Sequence, residues 1–296
     1  MTAHVHILLA TFNGARYLNE QLHSFARQTH KNWTLWASDD GSSDKTRKIL
    51  QKFAKKWPVN LIEGPKNGAT QNFMHLLNHP DIAGGYVALS DQDDVWLPHR
   101  LTRAIERLEN IARPALYCSR TIITDEALKP LGASPKFSGG CLQNAIVQNI
   151  SAGNTIALNP LGLDIIRKAG RPDKIQHHDW WIYLLIAATE GEIVIDHKPG
   201  LFYRQHANNS FGAHQGISAI VKRLGQIKNG EYRQWILENL NALQRVDHMI
   251  SDDARPLVHA LLQSDNWETA FKSHGVHRKG MIGQFMLNLA LRLRWL

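Results

Sequence analysis

The 296-residue chain is poor in several features that would otherwise narrow its function quickly. Its two cysteines, Cys118 and Cys141, are too few and too far apart for a structural zinc site or a disulfide framework, and they point to a reducing compartment. No uninterrupted apolar run approaches the roughly 20 residues that a helix needs to cross a bilayer. The apolar stretch at residues 5–10 gives way at once to polar residues and is too short for a secretory leader. There is no glycine-rich dinucleotide fingerprint and no glycine-rich loop ending in Lys-Ser or Lys-Thr, so two common devices for holding phosphate are excluded. Beyond Glu268 the chain contains no acidic residue.

The composition that remains is that of a globular protein, with 43% hydrophobic and 20% charged residues, enough for a sizeable core. A formal net charge of +8 calls for a polyanionic neighbour: nucleic acid, anionic lipid or a phosphorylated substrate. Basic residues occur throughout, but the excess gathers at the C-terminus in Lys272, Arg278, Lys279, Arg292 and Arg294. No Lys/Arg stripe is interleaved with aromatics in the manner of a nucleic-acid surface. A non-catalytic basic protein that binds nucleic acid is the competing reading, and strong salt-dependent binding to generic DNA or RNA would mark it.

Short β-like runs alternate with helical ones through the first half. Strands are expected at residues 5–10, 34–38, 59–63, 86–89 and 115–120, and helices at 15–28, 45–57, 69–78 and 98–111. Such alternation predicts an α/β fold with a mostly parallel central sheet and helices on both faces. The stretch 128–141, rich in Gly, Pro and Ser, reads as a loop. A strand at 155–158, helices at 160–169 and 179–190, and strands at 192–195 and 200–203 follow. From about residue 217 the pattern is helical to the end. The shift near residues 211–216 divides the chain into an expected catalytic domain, 1–211, and a C-terminal helical extension, 212–296.

In a parallel sheet the strand ends share one edge, where open α/β sheets bind ligands. The first strand ends in Thr11-Phe12-Asn13-Gly14 and the second in Asp39-Asp40-Gly41-Ser42-Ser43-Asp44. The fourth ends in Asp91-Gln92-Asp93-Asp94-Val95-Trp96-Leu97-Pro98, three carboxylates within four positions. Asp40, beside Asp39, can accept from a nucleobase imide or a ribose hydroxyl, with Thr11 and Asn13 as short polar neighbours. Clustered carboxylates repel unless a cation offsets them, and hard oxygen donors suit Mg²⁺ or Mn²⁺. A metal-dependent phosphohydrolase on the same cluster would need a nucleophile or a second metal site, and neither is apparent.

Taken together these segments resemble the N-terminal half of a family 2 glycosyltransferase of the GT-A, Rossmann-like fold, and the form Asp91-Gln92-Asp93-Asp94-Val95-Trp96 is similar to bacterial rhamnosyltransferases that use a dTDP-sugar. The resemblance spans roughly residues 4–211. It implies that Asp91 and Asp93 form an Asp-x-Asp group holding donor ribose and a divalent metal bridging the diphosphate. Asp93 ranks first as the metal ligand, with Asp94 beside it. Asp179, in His177-His178-Asp179-Trp180-Trp181, matches the acidic residue that serves as general base at the start of a helix in that family, although an Asp there also suits a plain N-cap. In the segment Tyr203-Arg204-Gln205-His206, Arg204 is expected to pair with the diphosphate and His206 to complete the metal shell. Gly153 and Asn154, with His178 and Trp180, are expected on the acceptor side. The implied activity is inverting transfer of a sugar, rhamnose from dTDP-rhamnose first and a UDP-sugar second, to a saccharide or lipid-linked saccharide in surface polysaccharide or O-antigen synthesis.

At the C-terminus, Ile282, Phe285, Leu289, Leu293 and Leu296 recur at helical spacing beside Arg292, Arg294 and Trp295. Such a helix lies in an anionic lipid interface, packs onto its own domain or forms a dimer contact. The expected location is cytoplasmic, with possible peripheral contact at the inner membrane.

Overall fold

The computed structural model describes residues 3–206, 225–264 and 266–296. Its first strand, β1 (Val5–Thr11), shows the period-2 logic of the sheet: Val5, Ile7 and Leu9 enter one apolar cluster while Leu8 enters the other, on the opposite face. The chain continues through α1 (Leu18–Ala26), β2 (Trp33–Asp39), α2 (Thr46–Ala54), β3 (Val59–Glu63), α3 (Gly68–Leu77), β4 (Tyr86–Ser90), β5 (Val95–Trp96), α4 (Arg100–Leu108) and β6 (Ala115–Thr124). It then forms β7 (Pro130–Ala133), α5 (Leu142–Ala145), β8 (Ala157–Leu158), α6 (Pro160–Ala169), α7 (His178–Ala188) and β9 (Glu192–Arg204).

The sheet order is β3-β2-β1-β4-β8-β6-β9-β5, with β7 pairing off the path to β6. β3, β2, β1 and β4 are mutually parallel, with Thr11 opposite Asp39, Asp39 opposite Glu63, and Leu9 opposite Ser90. Their C-terminal ends therefore share one edge, which brings three distant polar loops together. The second half is mixed: β8 runs antiparallel to both β4 and β6, and β5 antiparallel to β9, while β6 and β9 are parallel. Two details depart from the sequence expectations. The segment 128–141 contains β7, whose residues are exposed and which among the described residues pairs with β6 alone, a position that tolerates Pro130. The two expected strands at 192–195 and 200–203 are one strand, β9, whose pairing shifts register where His197 and Lys198 bulge out beside Arg120.

Behind the sheet, α7 is buried almost all round, so it reads as hydrophobic without a polar face. Onto it packs α8 (Glu231–Arg245), followed by α9 (Arg255–Gln263), α10 (Trp267–His274) and α11 (Met281–Arg292), each against the helix before it. Ile236, Leu240, Leu243, Val258, Trp267 and Phe271 belong to the same apolar cluster as Trp181, Ile182 and Leu185. The expected boundary at 211–216 lies outside the described residues.

On the opposite face, Phe25 of α1 meets Trp96 of β5 edge to face at 4.6 Å and is fully buried. Phe25→Ala is expected to cost roughly 3–5 kcal/mol, the usual range for emptying a core aromatic site. Urea unfolding checks this, and a loss below about 1 kcal/mol would contradict the packing described.

Candidate active site

The loops after β1 and β2 are stitched to each other before any ligand is considered. Asp39 is fully buried and accepts from the Thr11 hydroxyl at 3.1 Å, the Ser42 hydroxyl at 2.6 Å and the Ser42 N–H at 3.1 Å. Asn13, at a left-handed φ of 48°, accepts from the Ser43 N–H at 2.9 Å. Thr46 accepts from the Gly14 N–H, and Asp44 from the Ala15 N–H. Asp40 accepts from the backbone N–H groups of Lys66 at 2.6 Å and Gly68 at 2.9 Å, so the loop after β3 folds around it. A carboxylate offers about four lone-pair sites, so Asp40 retains capacity for a further donor. Gln92 ties in the third loop, donating to the Phe12 carbonyl and accepting from its N–H, both at 2.9 Å. A Cβ at Gly14 would sit 2.1 Å from Gln92 Oε1, so a side chain there would push Gln92 off these bonds.

The three carboxylates beyond β4 have different surroundings. Asp94 is fully buried; Oδ2 accepts from Asn154 Nδ2 at 2.6 Å, while Oδ1 has no partner. Burial, then Asp93 and Asp91, push its carboxyl well above the usual range, against the hydrogen bond from Asn154. Asp93 accepts from His206 Nε2 at 2.8 Å. Asp91 is partly open to the crevice. Desolvation, then the charges of Asp93 and Asp179, push it up to about 7, with Arg100 pulling the other way.

Arg100 lies beneath this cluster. It is buried, stacks 3.5 Å from the centre of the Trp96 ring, and donates to the carbonyls of Leu89 at 3.1 Å and Asn154 at 2.6 Å. Burial pulls it down to about 9, with Tyr117, Asp94 and Asp91 opposing that pull. One cation thus fixes both the end of β4 and the segment that carries Asn154.

Asp179 stands in the first turn of α7. Its Oδ2 accepts from the Gly153 N–H at 3.0 Å and its Oδ1 from the Trp180 N–H at 2.8 Å. Burial still raises its carboxyl, against His177 and these hydrogen bonds. Gly153 packs tightly here: a Cβ would lie 2.7 Å from His178 Nε2 and 3.3 Å from Asp179 Cβ. His178 stacks on Phe73 with centroids 4.1 Å apart, its Nε2 has no partner, and desolvation lowers it to about 3, so the ring is neutral. Trp180 is buried and donates to the Ala145 carbonyl at 2.6 Å. It anchors α7 to α5 instead of facing the crevice.

Arg204, expected to meet a diphosphate, is buried. It donates to the Asp93 carbonyl at 3.1 Å, to the Glu126 carbonyl and to Glu20 Oε2 at 2.5 Å, and it lies over the Tyr17 ring at 4.6 Å. In this arrangement it holds the Asp93 backbone. His206 packs beside the same Tyr17 ring, centroids 5.0 Å apart.

The structure therefore brings Asp91, Asp93, His206, Asp179 and Gly153 to one crevice. It turns Thr11, Asp39, Asp94, Asn154, Trp180 and Arg204 inward as supports. Among the described residues no group of three His, Cys, Asp or Glu side chains is clustered for a metal. The Asp93 carboxylate and the His206 imidazole beside it can supply one oxygen and one nitrogen donor to a divalent transition ion such as Mn²⁺, with phosphate and water filling the rest, whereas Mg²⁺ would use the carboxylate alone. Arg100 and Gln92 were not anticipated. Arg100 continues the buried stripe Arg100, Ala104, Leu108 of α4, and a cation at helical spacing in an apolar stripe was the available signal.

A carboxyl raised in the folded state binds its proton more tightly there than in the unfolded chain. Asp91 should therefore give the folded ligand-free protein a stability that grows as pH falls from about 8 toward 5 and is lost again as pH rises through about 7. The buried neutral His178 sets the opposite slope against it below about 6.5. Asp91→Asn should flatten that slope and raise the melting temperature at pH 8. An unchanged slope in the variant would contradict the crowding of these carboxylates.

Comparison with known proteins bears on the family and the fold. The family description glycosyl transferase family 2 matches residues 6–146. The chain is 30% identical over 248 residues to the dTDP-rhamnosyl transferase RfbG of Shigella flexneri, covering 79% of this chain and 84% of that one. It is 24% identical over 170 residues to an Escherichia coli UDP-Glc:alpha-D-GlcNAc-diphosphoundecaprenol beta-1,3-glucosyltransferase, covering 55% of this chain and 65% of that one. Among solved structures, the TarS 1–349 fragment of S. aureus in complex with UDP-GlcNAc aligns with a TM-score of 0.58 at 17% identity, covering 93% of each chain. The mannosyltransferase PcManGT of Pyrobaculum calidifontis, in complex with GDP-Man and Mn²⁺, aligns at 0.53 and 17%, covering 98% of this chain and 88% of that one. With the strand-end carboxylates and the GT-A architecture in place, the chain belongs to glycosyltransferase family 2.

Proposed function

We propose that this glycosyltransferase is an inverting enzyme that transfers rhamnose from dTDP-rhamnose to a saccharide hydroxyl, in the cytoplasmic assembly of a surface polysaccharide such as an O-antigen. The observation that carries the mechanism is the approach of Asp91, at the end of β4, to Asp179, at the start of α7, near enough for the Asp179 charge to raise the Asp91 carboxyl. One carboxylate belongs to the donor wall of the crevice and the other to the acceptor wall. The similarity to RfbG over most of both chains supports the donor sugar.

In this reading Asp40 accepts from the nucleobase, and Asp91 accepts from the ribose. Thr11, Asp39 and Asn13 hold the loop that frames them. Asp93 and His206 would hold a divalent cation, with Asp94 and Arg204 fixing the loop behind them. When bound, such a cation offsets the charge on the departing diphosphate. Asp179 takes the proton from the acceptor hydroxyl as its oxygen attacks the anomeric carbon. The bond from that carbon to the diphosphate oxygen breaks on the opposite face, releasing dTDP and inverting the centre. The raised carboxyl of Asp179 makes it a better base than an exposed aspartate. Gly153 sets its direction through the N–H donated to Oδ2.

Transfer from dTDP-rhamnose, with UDP-sugars in parallel, to a panel of saccharide and lipid-linked acceptors tests the reading. Asp179→Asn should keep donor affinity and lose about 10²–10⁴-fold in turnover. Near-wild-type turnover in that variant would remove Asp179 as the base. Gly153→Ala should lower kcat about tenfold or more with donor KM nearly unchanged, because a misdirected base costs rate and not binding. A change confined to KM would contradict this. Faster transfer from a UDP-sugar would reassign the donor while leaving the mechanism intact.

A further inference from the structure

The described residues leave one large apolar surface without a covering partner. On α11, Met281, Ile282 and Phe285 are 92%, 75% and 67% exposed, and Leu289 and Leu293 continue the line. At 3.6 residues per turn Met281, Ile282, Phe285 and Leu289 fall within an arc of roughly 100°. Leu287, Ala290 and Leu291 occupy the other side and are buried against the protein. The helix is thus apolar on two faces, one of which already serves the fold. Single exposed hydrophobics need no explanation, but a continuous stripe of this kind marks an interaction site.

Charge selects the partner. No acidic residue follows Glu268, whereas Lys272, Arg278, Lys279, Arg292 and Arg294 do. Lys272 pairs with Glu268 at 2.8 Å, and Arg278 donates to Val147 and Tyr232. Arg292 and Arg294 are exposed, and Arg292 projects from the same arc as the apolar stripe. A second copy of α11 would offer the arginines no opposite charge, since the helix carries no acidic residue, and would bury them unpaired in a low-dielectric contact. A nucleic acid would satisfy the arginines but offer nothing to Met281, Ile282, Phe285 and Leu289. An anionic bilayer satisfies both, taking the apolar side chains below its headgroups and the cations among them. None of the described helices is long and apolar enough to cross a membrane, so the contact is made in the interface plane.

We propose that α11 docks the protein onto an anionic lipid surface through Met281, Ile282, Phe285 and Leu289, with Arg292 and Arg294 at the headgroups. The inference is independent of the donor sugar and of the base assignment.

Co-sedimentation of the full chain with phosphatidylcholine vesicles, with and without phosphatidylglycerol, tests it. The wild type should partition about tenfold or more in favour of the anionic vesicles, with binding that weakens steeply as salt rises. The double variant Ile282→Gln, Phe285→Gln should lose vesicle binding, and Arg292→Gln, Arg294→Gln should lose the preference for phosphatidylglycerol. All four positions are solvent-exposed and make none of the contacts described for the site, so thermal midpoint and nucleotide binding should stay at wild-type values and report that the variants fold. Wild-type protein that remains in the supernatant with both vesicles would overturn the proposal. So would equal binding to both, or a concentration-dependent dimer in light scattering that the Ile282→Gln, Phe285→Gln variant abolishes while vesicle binding persists.

Discussion

The crowding of carboxylates at the end of β4 is the constraint around which the rest of the site is arranged. Asp91, Asp93 and Asp94 follow a buried strand into a region where charge is poorly solvated; Asp93 raises the cost of ionising Asp91, and Asp93 and Asp91 together raise that of Asp94. The fold meets this in three ways. Asn154 donates to Asp94, His206 donates to Asp93, and Arg100 stands buried beneath them on the Trp96 ring. Asp91 is left as the carboxylate of the three that opens onto the crevice with its repulsion least relieved by direct bonds. A ligand that brings cations or hydroxyl donors to this place finds a site already prepared for it, since charged groups held in a dry cleft interact more strongly than in water.

The supports also explain why the crevice spans so much sequence. Arg100 links the β4 end to the Asn154 segment, Gly153 next to it donates to Asp179, and Asp179 opens α7. A chain of contacts therefore runs from the end of β4 to the start of α7 through a few buried polar groups. Arg204 and Tyr17 do the same on the other flank, tying the end of β9 to the Asp93 backbone and to α1. Buried polar networks of this kind are costly when half satisfied, which makes their members sensitive to substitution even where they touch no substrate.

Much of the framework was legible in the sequence because its signals are local. The alternation of β1, the Pro-opened α6 with its Asn159 cap, and the apolar α7 follow from periodicity and capping, and the expected 160–169 helix has the observed bounds. The strand-end motifs fall at one edge of the sheet, as their places after β1, β2 and β4 predicted. The direction of individual side chains was not legible. Thr11 and Asp39 sit at a strand end, where a side chain can face either the ligand or its own loop, and the Ser42 turn decides in favour of the loop. Arg204 lies in a segment that reads as a phosphate contact, yet Glu20 and Tyr17, both far away in sequence, draw it inward. The mixed half of the sheet was hidden for a related reason: β8 has two residues and β9 runs through a bulge, so neither carries a full strand period.

The central claim is that the β4 carboxylates form a nucleotide-diphosphate site that works with a divalent cation. Calorimetric titration of dTDP, UDP and GDP into the purified protein, each with and without Mn²⁺ or Mg²⁺, tests it most directly, with Asp93→Ala as the control. The account predicts saturable binding of dTDP that strengthens when the metal is present and disappears in Asp93→Ala. Binding of dTDP that is indifferent to metal and to Asp93, or no binding of any of the three nucleotides, would contradict it.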